Sequence, residues 1–224
     1  MRPFVIRTEL LTPVVIQGYL TLDALLMATL ETGDVSHLLK LEDGLYSASA
    51  AFLVDLGPLK QRAAFVASLR PEHTPEWREL IRPNTKNSNL PPMMTDQEAK
   101  GSSNDLRIGL ARQREGGNII NAYRAVSARS VEWYATGDAN AVLEILKDLE
   151  FIGKRRSAGY GQVAGWVIDE GELDGITGYL GEPLRPLPVK RWTHGGDWVP
   201  VEAAWKAPYW DIRNRTKCYV PDRL

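Results

Sequence analysis

The chain of 224 residues contains one cysteine, Cys218. No disulfide can form within it, and a zinc cluster built on several thiolates is excluded. Its three histidines are His37, His73 and His194, and none falls in a metal spacing such as H-E-x-x-H. No apolar run approaches the ~20 residues needed to span a bilayer. Arg2, Arg7 and Glu9 interrupt the charged-then-apolar pattern of a secretion signal. These absences lead to the expectation of a cytoplasmic protein with no membrane contact. A net excess of charge is also missing: 27 basic side chains face 28 acidic ones, for a formal charge of −1. Whole-chain basicity therefore gives no argument for nucleic acid. Nucleotide signatures are missing too: there is no G-x-x-x-x-G-K-[ST] loop and no glycine fingerprint opening a helix. No cofactor and no metal is expected.

What is present is an ordinary globular composition, 44% hydrophobic and 25% charged, enough to bury a core. The length fits one domain with a large insertion and an appendage. The charge is unevenly spread. Arg107, Arg112, Arg114, Arg124 and Arg129 face only Glu115 between positions 106 and 130. Lys154, Arg155 and Arg156 are consecutive, with no acid downstream until Asp169. Acids gather elsewhere, at Glu31, Asp34, Glu42 and Asp43, and at Asp169, Glu170, Glu172 and Asp174. A neutral chain can carry a basic stripe, although a solvated face explains any single run equally well.

Hydrophobic periodicity predicts a strand over 4–11 and a helix over 20–30, with Leu22, Leu25, Leu26 and Leu30 on one face. Thr21 suits its N-cap and Asp23 its first turn. Two strands are expected at 47–55 and 59–69, parted by a turn at Gly57-Pro58. Residues 71–118 read as one insertion, broken by Pro71, Pro75, Pro83, Pro91 and Pro92, with a possible strand over 106–114. A long strand over 122–135 follows. Asp138 then caps a helix over 139–150 lined by Val142, Leu146 and Leu149. A last strand spans 162–168. From 176 to 224 the chain is rich in proline and tryptophan, and reads as an extension packed on the first domain, 1–175. Without the insertion the order is strand, helix, strand, strand, helix, strand: an α+β, ferredoxin-like (RRM-like) arrangement.

The strongest local signal is the run Gly153, Lys154, Arg155, Arg156, Ser157, Ala158, Gly159, Tyr160, Gly161. Gly153, Gly159 and Gly161 permit positive φ and the close approach of another backbone. The three cations and Ser157 suit phosphate, as do exposed amides in such a turn. Tyr160 is placed to stack on a base or to pack down. Against this stands a basic surface turn with convenient glycines.

A glycine-rich loop between the last helix and the last strand of such a unit resembles that of the RAMP superfamily of CRISPR proteins. The segment Leu20-Thr-Leu-Asp-Ala-Leu-Leu26 is similar to the first helix of Cas-five-like members, with Ala24 where a glycine is common. The tail Ala207-Pro-Tyr-Trp210, closing on Cys218-Tyr-Val-Pro221, resembles that of the Cas-five-like subunit of type IV systems. The resemblance implies a non-catalytic subunit that caps a guide-RNA assembly by gripping the five-prime, repeat-derived handle of the crRNA. The insertion would correspond to a thumb laid on the RNA. Arg107, Arg112, Arg114, Arg124 and Arg129 would form a second basic surface. The implied partners are crRNA and other effector subunits (backbone, large subunit, repeat-processing nuclease), with target DNA as a further one.

Two other classes compete. Some RAMP proteins are metal-independent endoribonucleases, which cut repeat RNA with a histidine or tyrosine as acid or base. Here each histidine is a lone loop residue without a matched partner. A plain interaction scaffold would use Trp192, Trp198, Trp205 and Trp210 as anchors, although local packing is the commoner use of such residues.

Overall fold

The computed structural model of the protein describes residues 1–30, 33–68, 118–192 and 198–222, and for 58–68 and 118–122 the backbone alone. The expected insertion at 71–118 lies almost wholly outside the described residues, as does the strand expected at 106–114. The chain forms two compact units: Met1–Gln61 with Arg124–Leu224, and Arg62–Tyr123. In the second, the described residues 62–68 and 118–122 are strand throughout, as is Tyr123.

Among its described residues the first unit is α+β, with antiparallel sheets and two α-helices. Strand β1 (Arg2–Leu10) is central, because Phe4, Ile6 and Thr8 alternate onto one face and are buried there. It lies antiparallel to β5 (Asn118–Gly137) on one side, with Ile6 opposite Trp133 and Thr8 opposite Val131. On its other side it lies antiparallel to β6 (Val163–Glu170). Strand β4 (Phe52–Ser68) completes the sheet, in the order β4-β5-β1-β6. Helix α1 (Leu22–Thr29) follows β1 and helix α2 (Ala139–Leu146) follows β5. The helices pack on each other. Leu22, Leu25 and Leu26 of α1, with Val142 and Leu146 of α2, close over Phe4, Ile6, Val131 and Trp133. Two short strands, β2 (Leu41–Glu42) and β3 (Leu45–Tyr46), form a hairpin.

Two indoles tie the sheet to the chain next to the helices. Trp133 is fully buried and donates from Nε1 to the Leu20 carbonyl at 3.0 Å. Trp166, with its ring 5.8 Å from that of Trp133, donates to the Leu149 carbonyl at 3.0 Å. Each indole N–H thus finds a carbonyl just outside a helix, before α1 or after α2.

Three local expectations need correction. The strands expected at 47–55 and 59–69 are one strand, β4, which runs through Gly57 and Pro58 without turning. Strand β4 is an edge strand, where a missing N–H is tolerated, and Asp55 takes the left-handed φ of 51° that an irregularity in a strand needs. Gly57 has a different role: a Cβ there would lie 3.1 Å from that of Ser127. Residues 47–51 make only isolated bridges, Ala48 to Ala135 and Ala50 to Thr21. The second correction is the end of α2, at Leu146 rather than at 150. Its start is as expected: Asp138 Oδ1 accepts from the Ala141 amide at 3.1 Å. The third concerns the start of α1, where Thr21 occupies the N-cap position but makes no side-chain cap bond.

Residues beyond 175 carry a second, smaller sheet. Strands β7 (Leu187–Pro188), β8 (Val201–Ala204) and β9 (Arg215–Tyr219) form an antiparallel sheet in the order β7-β9-β8. Trp192 and Trp198 lie 5.1 and 6.5 Å from the Tyr219 ring. Cys218 is fully buried in this sheet, and burial pushes its thiol from its usual 9.0 up to about 11. A thiol reagent at pH 8 should therefore label it only after denaturation. Because its folded pKa is raised, the stability it contributes is complete below pH 9 and is lost as the pH climbs from 9 toward 11. Fast labelling of the native chain would contradict this burial.

Candidate nucleic-acid interface

The loop 153–161 joins the end of α2 to β6. Its base is closed by an antiparallel bridge between Phe151 and Gln162 and by the Ile152 amide donating to the Gly161 carbonyl at 2.8 Å. Its two ends are pinned on the stretch 13–15: the Gly161 amide donates to the Pro13 carbonyl at 2.9 Å, and the Lys154 amide to the Val15 carbonyl at 2.8 Å. Gly153, Gly159 and Gly161 all have positive φ, at 76°, 83° and 74°.

The backbone that comes close to the glycines is the chain's own. A Cβ on Gly153 would lie 2.6 Å from the Val15 carbonyl oxygen, and one on Gly161 would collide with the carbonyl of Ile152. Gly159 faces open space. The outer glycines thus hold the loop to the body, and Gly159 alone leaves room for a ligand. Gly161→Ala or Gly153→Ala should cost about 2–4 kcal/mol, combining left-handed strain with displaced backbone. Gly159→Ala should cost about 1 kcal/mol. Urea unfolding of the three variants checks the order, and equal losses would contradict it.

Between the pinned ends, Lys154 and Arg156 are exposed and Arg155 is half-buried. Lys154 Nζ donates to Gln17 Oε1. Arg155 is held at φ 63°, a left-handed conformation that an arginine adopts at a cost of about 1–2 kcal/mol. It opens a single 3₁₀ turn, Arg156–Ala158, closed by the Gly159 amide on the Arg156 carbonyl at 2.8 Å. Among the described residues no hydrogen bond of the loop uses the amides of Arg156 or Ser157. Ser157 is exposed and Tyr160 half-buried.

The second group of arginines is only partly described. Arg107, Arg112 and Arg114 lie outside the described residues. Arg124 is exposed and borders a cavity with Val14 and Ile16. Arg129 is exposed elsewhere on β5, with Nη2 4.0 Å from Glu9. Arg124 therefore shares the stretch 13–18 with the glycine loop, while the described partner of Arg129 is an acid. Of the histidines, His37 is exposed on a turn, and His73 and His194 lie outside the described residues.

The sheet face turned away from the helices has a different character. Arg7 is paired there with Glu132 and lies 3.9 Å from Asp169. The hydrogen bond and charge of Glu132 hold the Arg7 guanidinium above its usual range.

A cluster that sequence reasoning missed holds the extension in place. Arg185 and Asp23 are both fully buried, 3.7 Å apart. Arg185 also donates to the carbonyls of Tyr46 and Ala48, to that of Trp205 at 3.1 Å and to Tyr209 Oη at 2.6 Å. Tyr209 Oη donates in turn to Asp23 Oδ2. Burial, then the Asp23 charge, drives the Tyr209 phenol well above its usual range. Asp23 lies in the first turn of α1 as expected, and it also neutralises Arg185. A carboxylate beside Leu22, Leu25 and Leu26 was the available signal, since a charge on an apolar face calls for a buried partner. The next residue, Trp210, is 84% exposed.

No helix among the described residues is long and apolar enough to cross a membrane. The sequence model of the family described as CRISPR type IV associated protein Csf3 matches residues 85–221. This span includes the glycine loop and the tail as far as Pro221 but not α1. No curated protein matches the chain.

Proposed function

Because the chain belongs to the family of CRISPR type IV associated protein Csf3, a Cas5-like subunit, we propose that it is the RNA-gripping, non-catalytic member of a type IV effector complex. In this reading it caps the complex by holding the five-prime handle of the crRNA. The observation that carries the reading is the loop 153–161. Its ends are fastened to the body by the chain's own backbone, and its middle holds Lys154, Arg155 and Arg156 with Arg155 in a strained left-handed conformation. Strain of this kind concentrates at functional sites. Phosphate is the ligand such a turn suits, through its cations and unengaged amides.

The sheet order β4-β5-β1-β6, with a helix after its first and third long strands in chain order, supports the ferredoxin-like reading. RRM domains of that topology read RNA on the open sheet face with aromatic side chains. Here that face carries Glu132 and Asp169 around Arg7, which favours the loop as the contact instead. Arg124 extends the basic surface, and Arg107, Arg112, Arg114 and Arg129 are proposed to add to it. Other effector subunits are the proposed protein partners, with Trp210 and Ile212, 84% and 67% exposed, as contact points for them. Target DNA is a further proposed partner, and the location is the cytoplasm.

Purified protein titrated with single-stranded repeat RNA should bind with a log–log salt slope of about −2 or steeper, and should leave that RNA uncut. A slope near zero would sink the RNA-gripping reading. Specific cleavage abolished by replacing His37, His73 or His194 would move the chain to the endoribonuclease class.

A further inference from the structure

A cavity of about 250 Å³ is lined in part by the stretch that anchors the glycine loop. Within that stretch, Val14, Ile16 and Gly18 border the cavity. The Val15 carbonyl accepts from the Lys154 amide, and the Gln17 side chain accepts from Lys154 Nζ. Val14 borders both cavity and loop, since a Cβ on Gly153 would lie 3.1 Å from its Cγ2, so one short segment serves the two sites.

The cavity has the chemistry of a flat, partly polar ligand. Leu20, Leu53 and Val126 continue its apolar wall. Arg124 and Asp222 are its charged lining residues, and both are exposed. They offer a donor and an acceptor beside an apolar slot, the combination that reads the edge of an unstacked base while burying its faces. A phosphate alone would leave the apolar wall unused. An aliphatic ligand would leave Arg124 and Asp222 unused.

We propose that this cavity receives one nucleobase of the single-stranded RNA whose phosphates lie on residues 154–160, with Arg124 and Asp222 at the base edge. The assignment rests on the RNA-gripping reading of the loop. It gives the protein a position of base preference within an otherwise backbone-directed grip. It also gives the tail a role, since Pro221 and Asp222 form part of the cavity lining.

The test uses the full chain and a series of repeat RNAs, each with a single abasic site, followed by fluorescence anisotropy. One position should lose roughly tenfold in affinity, as expected for one buried, stacked base, and its neighbours less than twofold. Val126→Phe, which fills the cavity, should weaken the intact RNA by a similar factor and remove the sensitivity to that position. Arg124→Ala, at an exposed residue, should reduce the same sensitivity without disturbing the fold, and so covers the case in which Val126→Phe does not fold. A flat abasic series, or a sensitive position that survives both variants, would overturn the proposal. If the series is flat while Val126→Phe impairs assembly with partner subunits, the cavity takes a protein side chain instead. Failure of the underlying reading looks different: alanine at 154–156 would then leave all RNAs bound as before.

Discussion

Replacing Lys154, Arg155 and Arg156 together with alanine should weaken binding of single-stranded RNA by a few hundredfold near 50 mM salt. The estimate assumes one phosphate neutralised per cation, at about 0.7 of a log–log unit each for single strands. The salt slope should accordingly flatten by about 2 units, and the loss should shrink toward nothing near 1 M salt. The fold should survive. Lys154 and Arg156 are exposed, and the bond that pins this end of the loop is made by the Lys154 backbone amide, which alanine retains. Anisotropy titrations at four or five salt concentrations, with a thermal melt of each protein, make the measurement. An unchanged slope with unchanged affinity would remove the loop from the interface. A parallel loss at all salt concentrations would show that the substitutions act on loop shape and not on charge.

The largest stability effect is expected at Arg185. Arg185→Ala leaves the Asp23 carboxylate buried without its cation. It also strips a donor from the carbonyls of Tyr46, Ala48 and Trp205 and from Tyr209 Oη. Breaking a buried pair by removing one partner costs about 3–5 kcal/mol, a large part of the 5–15 kcal/mol that typically stabilises a domain. The double variant Asp23→Leu with Arg185→Met removes both charges and keeps the volume, so it should recover part of that loss. The unpaired carbonyls should still cost about 1–3 kcal/mol. Urea unfolding midpoints compare the three proteins. If the double variant is no more stable than Arg185→Ala, the hydrogen bonds to the backbone, and not the charge pair, hold the cluster together.

How much of this was legible in the sequence depended on the range of the interaction. The Asp138 cap was readable because a carboxylate meets an amide three residues on. The alternation of Phe4, Ile6 and Thr8 was readable because it is a property of one strand. Gly57-Pro58 misled, since the same dipeptide that usually ends a strand is harmless on a sheet edge, and edge position is a property of the whole sheet. Of the loop, its glycine conformations and its exposed cations were readable. The partners of its ends, Pro13 and Val15, far earlier in the chain, were not.

The sequence by itself determined the helix and strand periods, the positive-φ positions of the loop, and the clustering of Lys154, Arg155 and Arg156. Each follows from sterics or charge within a few residues. The tertiary structure alone decided which glycine stays open to a ligand, that Arg124 shares a strut with the loop, and that Asp23 answers Tyr209 from 186 positions away. Those outcomes depend on burial. A carboxylate that water would solvate in the unfolded chain must find a cation or a hydroxyl once α1 closes on the sheet. No local pattern records which distant residue supplies it.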